Sequence, residues 1–314
     1  MTAPLPAPAG AADRTRPPDP WHLGGWLREA ERELDRAAPA EALTLFLVGA
    51  RCPFSCLFCD LAAQTIPGPT PRGAIPEQVR QGLAAAGALP RGAAIKLYNA
   101  SNFFDERAVP AGDDAEIAAL VRDFARVTVE CHPRLAGERC FRFAERLDGG
   151  LEVAMGLETA APGALAQLGK AMTADDFARA AGELRRRGIA VRAFVLLAPP
   201  LVPAGEAVDW AARSVAFAVA AGAGRVTLIP TRGGRPELER LARRGEFRPP
   251  TLDELEAALE RTVETAGAVV TADLWDAPRL FAGAPRAEER LARLRRMGLA
   301  GRREPPLATA VAPA

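Results

Sequence analysis

Lysine, tyrosine and histidine are almost missing from this 314-residue sequence, where basic character is carried by arginine. The only lysines are Lys96 and Lys170, the only tyrosine is Tyr98, and the only histidines are His22 and His132. Net charge is nearly absent too: 40 Lys+Arg oppose 39 Asp+Glu, leaving +1. That balance excludes a strongly basic nucleic-acid binder or an acidic solvating tail as the whole story. Long hydrophobic runs are lacking. The least polar stretch, 214–224, is mostly Ala and Gly and is closed by Arg213 and Arg225, well short of the ~20 apolar residues a membrane span needs. No apolar core follows a basic start at the N-terminus, so no secretory signal and no membrane association are expected. Cysteine is scarce at five residues, an odd number with three crowded into eight positions. That argues against a disulfide framework and for a metal or cluster site in a reducing, cytoplasmic compartment.

What is present is an alternation of short apolar β-type runs with helical patterns. Strands are predicted over 43–49, 94–98, 127–131, 152–157, 190–197, 226–229 and 268–272. Their unalternating apolar character suits a parallel sheet buried on both faces. Between them, Phe177, Ala181 and Leu184 form an apolar helical stripe, preceded by Thr173 as an N-cap and stopped by Gly188. Thr251 opens the last large helix in the same way. Such strand–helix units imply right-handed crossovers and either an open sheet or a partial or complete barrel, with ligands at the C-terminal ends of the strands. The expected layout is a Pro/Ala-rich disordered tail over 1–20, an N-terminal helix over 21–42, a core domain over 43–275, a C-terminal helix over 276–300 and a second tail over 301–314.

Directly after the first predicted strand comes Cys52-Pro-Phe-Ser-Cys56-Leu-Phe-Cys59, a C-x3-C-x2-C run on the predicted ligand-binding face. Three thiolates on one loop can hold three irons of a [4Fe–4S] cluster. A structural zinc site is the alternative. It normally closes with four ligands in spaced pairs, and Cys131 and Cys140, nine positions apart, form no second pair.

This motif resembles that of the radical S-adenosylmethionine enzymes. The resemblance implies an α/β fold, a partial (β/α)6-type TIM barrel with a short C-terminal extension. Its cofactors would be a [4Fe–4S] cluster on Cys52, Cys56 and Cys59, and S-adenosyl-L-methionine on the open iron. One-electron reduction then releases a 5′-deoxyadenosyl radical that abstracts hydrogen. An electron donor of flavodoxin or ferredoxin type is implied as well. Phe58, before the last cysteine, is expected near the adenine.

The scarce residues gather by sequence around the same predicted rim. Lys96 and Tyr98 lie on the second strand, His132 ends the third, and Lys170 follows the fourth. Asn99, Ser101 and Asn102 follow the second strand and could offer oxygens to the methionine ammonium or simply cap their own turn. Glu130 and His132 are the catalytic candidates, as acid, base or a mere local pair. Glu158, at the fourth strand's end, suits two ribose hydroxyls, or a helix cap or a salt bridge to Lys170 or Arg192. Lys170 suits a carboxylate. Arg192 needs a partner inside its apolar strand, either the cofactor carboxylate or Glu158. Ile229 belongs to an apolar lip that could cover the adenine or equally be ordinary core. Arg290, Arg293, Arg295 and Arg296 on the C-terminal helix could meet RNA phosphates or form a solvated face.

The longer run of motifs (ALTLFLVGARCPFSCLFC, IKLYNASNFFD, VTVECHPRL, VAMGLETA, LGKAMTADDF, RAFVLLAPP and GEFRPPTLDEL) resembles the archaeosine synthase β-subunit type, a relative of the elongator-type enzymes, over about 43–275. It implies a modified nucleoside, in tRNA or presented by a partner protein. His132 stands where that branch carries arginine, and Asn-Ala-Ser-Asn replaces its small-residue element. A small metabolite or natural-product intermediate is the alternative substrate, and a zinc- or cluster-stabilised binding protein the non-enzyme alternative.

Overall fold

A computed structural model describes residues 17–33 and 38–307. Every predicted strand is present, and one unpredicted strand precedes them. The strands are β1 (Gly25–Glu31), β2 (Ala40–Phe46), β3 (Ala94–Tyr98), β4 (Arg126–Glu130), β5 (Leu151–Glu158), β6 (Ala190–Leu197), β7 (Arg225–Pro230) and β8 (Val269–Ala272). They form one sheet in chain order from β1 to β8. β1 is antiparallel to β2, and all later pairs are parallel. Successive parallel neighbours joined by helical crossovers all turn the same way, so the sheet curls into a partial barrel.

The helices are α1 (Ala74–Ala86), α2 (Asp114–Val121), α3 (Glu138–Ala144), α4 (Ala164–Gln167), α5 (Ala174–Arg186), α6 (Ala207–Ala221), α7 (Pro236–Arg243), α8 (Leu252–Thr262), α9 (Ala277–Leu280) and α10 (Ala287–Ala300). The two anticipated N-caps are full capping boxes, Thr173 with Asp176 and Thr251 with Glu254, each satisfying two otherwise orphaned N–H groups. The outer face of the sheet supplies Leu43, Leu45, Ile95, Leu97, Val127, Val129, Val153, Met155 and Val191. They pack with Ile75, Val79, Ile117, Phe177 and Leu184 from the helices into one continuous core. Burying each large side chain stabilises the fold by about 1.5–3 kcal/mol. Among the described residues no helix is long and apolar enough to cross a membrane.

Three expected boundaries are corrected. The segment 21–42 is not a helix: Gly25–Glu31 is a strand paired with β2, and 34–37 lie outside the described residues. Glu29, Glu31 and Glu33 alternate along it and face inward, a two-residue period that a helix cannot use. The span 276–300 holds two helices, α9 and α10, separated by a break. Residues 301–307 are not a loose tail, because Glu304 pairs with Arg296 at 2.8 Å and the Pro305 carbonyl accepts from Arg293 Nε at 2.8 Å. Of the predicted tails, 1–16 and 308–314 lie outside the described residues.

The inward acids of β1 close the N-terminal end of the barrel. Lys96 reaches Glu29 and, at 3.3 Å, Glu31. Arg192 bonds Glu31 at 2.8 Å and Glu152 at 2.9 Å, and Arg225 bonds Glu152 at 3.0 Å and Glu31 at 3.2 Å. Glu33 takes both Arg225 and Arg126. Four carboxylates thus meet four cations. Burial pushes Glu31 upward, but Arg192, Lys96 and Arg225 outweigh it and hold its carboxyl far below the usual range. Glu152 is lowered against its own burial by Arg192 and Arg225. Such a network gains little over an apolar plug, yet losing one member leaves an uncompensated buried charge.

Candidate functional site at the C-terminal edge of the sheet

The opposite end of the barrel is built differently. Ala100, Glu158 and Ala198, just past or at the ends of β3, β5 and β6, hold φ of +51°, +64° and +55°. Ala171, in the loop before α5, holds +56°. Each left-handed non-glycine residue costs about 1–3 kcal/mol, and such strain concentrates at ligand sites.

The cysteine loop lies at this edge, following β2. Its thiols are half-buried and unpaired as disulfides. Two neighbours fix its backbone. Leu57 N–H donates to the Leu168 carbonyl at 2.9 Å, and Arg235 donates to the carbonyls of Cys56, at 3.0 Å, and Cys59. Gly169, at φ +68°, lets the chain pass so closely that a Cβ there would sit 3.0 Å from the Ser55 carbonyl oxygen. Leu57 also packs on a small apolar cluster of Leu238, Leu241 and Phe247.

A chain of hydrogen bonds runs from the loop across the edge. Asn102 Nδ2 donates to Cys52 Sγ at 3.2 Å, and Asn102 Oδ1 accepts from His132 N–H at 2.7 Å. His132 Nδ1 accepts from Arg134 N–H at 3.2 Å, so Nε2 carries the proton and donates to the Lys170 carbonyl at 2.8 Å. Lys170 Nζ in turn donates to Glu158 Oε1 at 2.7 Å. Cysteine loop, β3, β4 and β5 termini are thereby tied together.

Charge states follow from burial. Burial pushes the Cys56 thiol up to about 11, with Lys170 pulling the other way, and raises Cys59 as well. Burial lowers His132 to about 4. Its ring is neutral, both its nitrogens are engaged, and Phe54 stacks on it at 3.9 Å, which makes it a structural link between loops. Burial pushes Glu130 up to about 7 against the N–H groups of Asn99 and Ala100. For Lys170, burial is outweighed by Glu158 and Cys56, and the ammonium stays charged.

Cys52, Asn102, His132, Lys170 and Glu158 are therefore linked in one chain of hydrogen bonds along this edge. Asn99 and Ser101 join them in a distinctive state: Asn99 Nδ2 and Oδ1 and Ser101 Oγ are buried without any hydrogen-bond partner. Unmade bonds on buried polar atoms are costly, so these three atoms call for a partner from outside the chain, water or ligand. Phe58 and Ile229 are half-buried in the cysteine loop and near the end of β7. Arg192 does not belong here. Its partners are Glu31 and Glu152 in the plug, and Lys96 likewise lies in the plug, not on the rim. The basic face expected on the last helix is also largely spent: Arg290 pairs with Glu256 and Asp253, Arg293 with Glu256 and Glu260, and Arg296 with Glu304. Sequence reasoning missed Phe54 and Arg235. Neither carries a local signal, since both act on residues brought near only by folding. Among the described residues, no three His, Cys, Asp or Glu side chains meet around a point that one metal ion could occupy.

No family model matches this sequence, and no curated protein matches it. Solved structures do. Streptococcus suis SuiB bound to S-adenosylmethionine aligns over 72% of this chain and 49% of its own, at 10% identity and TM-score 0.53. Methanocaldococcus infernus Elp3 aligns over 64% and 51%, at 15% identity and TM-score 0.48. Escherichia coli coproporphyrinogen III oxidase (HemN), described as a radical SAM enzyme, aligns over 69% and 50%, at 12% identity and TM-score 0.45. This chain spans about half the length of each. The likeness to SuiB concerns the fold: a curled, mostly parallel sheet forming a partial barrel.

Proposed function

We propose that this chain is a radical S-adenosylmethionine enzyme. The observation that carries the reading is a loop of three free thiols, bonded through Cys52 to Asn102, at the same strained edge as the unsatisfied Asn99 and Ser101 side chains. The residues suit the two cofactors. Cys52, Cys56 and Cys59 would hold a [4Fe–4S] cluster, and the Asn102 side-chain N–H donates to the sulfur of Cys52, fixing its position in the loop. Asn99 and Ser101 offer oxygens to an ammonium group, Lys170 a charge to a carboxylate, and Glu158 an oxygen to ribose hydroxyls. Phe58 and Ile229 provide apolar flanks for a base. When bound, the cluster supplies one electron to S-adenosylmethionine, whose reductive cleavage gives methionine and a 5′-deoxyadenosyl radical. The protein's share is to orient the cofactor, keep water out with the plugged barrel and position the hydrogen donor. A one-electron donor protein of flavodoxin or ferredoxin type completes the reaction.

A modified tRNA nucleoside is one substrate reading, and a small metabolite is the other. The pairing of the α10 arginines with acids favours the second, because little unpaired positive charge remains there for phosphates.

The test is 5′-deoxyadenosine formation by protein reconstituted anaerobically with iron and sulfide, given S-adenosylmethionine and a strong reductant. Product is expected from the native chain and none from Cys56→Ala. A native protein with a verified cluster that yields no product would sink the reading.

A further inference from the structure

The concave face of the barrel has a middle row between the ionic plug and the cysteine rim. Its orientation follows from contacts. Tyr98 on β3 meets Phe194 on β6 edge to face at 6.3 Å, a contact between strands three places apart that only the concave side allows. Thr44 bonds Glu29 on this side and Thr128 bonds Glu152, so two residues on, Phe46 and Glu130 share it. Arg225 in the plug likewise puts Thr227 and Ile229 there. Phe46, Tyr98, Glu130, Phe194, Thr227 and Ile229 are all partly exposed in mid-sheet, whereas their outward neighbours Leu45, Leu97, Val129, Val195 and Leu228 are fully buried. The row therefore borders open space. β5 contributes only the small Ala154 and Gly156 to this row, Glu152 lying in the plug and Glu158 with Lys170 covering Gly156 from the rim side.

The chemistry of this space is one-sided. Three aromatic rings line it, and Phe46 is further backed by Trp275 at 4.8 Å. The row contains one ionisable acid, Glu130, whose hydrogen-bond donors in the chain are the N–H of Asn99 at 3.3 Å and that of Ala100. Among the described residues, the cations nearest in the barrel are already taken: Lys96, Arg192 and Arg225 by the plug glutamates, and Lys170 by Glu158. Within the row itself a phosphate or carboxylate would meet no cation, Lys170 belonging to the rim above it. A flat ring would find aromatic faces and edges, and its N–H groups a carboxylate in need of donors.

We propose that this row is the substrate pocket and that it takes a planar aromatic group carrying N–H donors, held at its polar edge by Glu130 and packed against the aromatic side formed by Phe46, Tyr98 and Phe194. The inference rests on the radical-enzyme reading for the word substrate, while the binding itself requires neither iron nor cofactor.

Benzamidine and benzoate are the probes, being flat rings of one size that differ in presenting N–H donors or a carboxylate. Titrated calorimetrically into the full chain at pH 8 without iron or S-adenosylmethionine, benzamidine should bind at least tenfold tighter than benzoate. Glu130→Gln should weaken benzamidine at least tenfold without lowering the melting temperature, and Phe194→Ala should weaken it with Glu130 intact. Binding of neither probe, equal binding of both, or an unchanged benzamidine affinity in Glu130→Gln would overturn the proposal. Those outcomes leave 5′-deoxyadenosine formation untouched, and failure of that reaction leaves the probe affinities untouched, so the two readings fail separately.

Discussion

Replacing Glu130 by glutamine should make this protein more stable above neutral pH and, at the same time, newly sensitive to mild acid. Two buried groups with opposite shifts share one stretch of pH. The Glu130 carboxyl is raised from 4.5 to about 7 by burial, so the folded state keeps a proton that the unfolded state has released. Its contribution is fully favourable below 4.5 and is lost as pH climbs through 7, a difference of about 3 kcal/mol. His132 is lowered from 6.5 to about 4 by burial. Its contribution is complete above 6.5 and is lost as pH falls through 4, again by about 3 kcal/mol. Between pH 4.5 and 6.5 the slopes oppose each other, and the native chain should be nearly flat there. Glu31 and Glu152 titrate below their ordinary range, so the plug does not add a slope to this window. Glutamine keeps an acceptor for the Asn99 N–H but cannot ionise. Glu130→Gln should then gain up to about 3 kcal/mol at pH 8 and lose up to about 1.4 kcal/mol per pH unit on acidification from 6.5 toward 4. Urea denaturation followed by circular dichroism at pH 4.5, 5.5, 6.5 and 8, in chelator-treated protein, reads both effects. Parallel stability curves for the two proteins across this range would refute the reasoning.

Other perturbations probe other parts of the molecule. Because burial raises the Cys56 thiol to about 11, iron uptake must displace protons, so cluster loading should rise steeply between pH 7 and 9; loading independent of pH would contradict it. Gly156→Ala places a methyl group against Glu158 Oε1 and 2.6 Å from Lys170 Nζ, and should cost roughly 1–3 kcal/mol by thermal denaturation while releasing the pair; an unchanged melting point would show the space is slack. Arg225→Met strands Glu33 and Glu152 in the plug and should destabilise by about 3–5 kcal/mol, much of it recovered when Glu152 is also made neutral. Equal losses in the single and double variants would mean that packing, not charge, is at stake.

The parallel part of the fold was legible because its cause is local. Buried strands need apolar runs, and residues such as Ala94–Tyr98 and Ala190–Leu197 display them over their whole length. Helix starts were equally plain at Thr173 and Thr251, where the cap lies three residues from its partner. β1 escaped because its inward side is charged. Glu29, Glu31 and Glu33 look like helix surface until Lys96, Arg126, Arg192 and Arg225 are known to face them from strands far along the chain. The same ignorance misassigned Arg192: a lone arginine in an apolar strand signals a buried partner, but its place on the third residue of β6 puts that partner at the barrel's floor. The cysteine loop was readable as chemistry, whereas its support by Arg235 and its link through Asn102 and His132 are tertiary facts.

The floor and the rim explain one another. A barrel open at both ends would let water reach any reactive species formed inside it, and side reactions follow from such access. Here the floor is closed by ions, not by apolar side chains, and the β1 strap that supplies three of the acids is the one antiparallel strand in the sheet. Four carboxylates matched to four cations leave that end without net charge to draw an ionic ligand downward. The groups open to a polar ligand gather at the other end: Asn99 and Ser101 without hydrogen-bond partners, Glu130 with few donors, and the three free thiols of the cysteine loop. A ligand therefore has one entrance and one set of groups to satisfy, and it arrives with the cysteine loop above it and the aromatic row beneath.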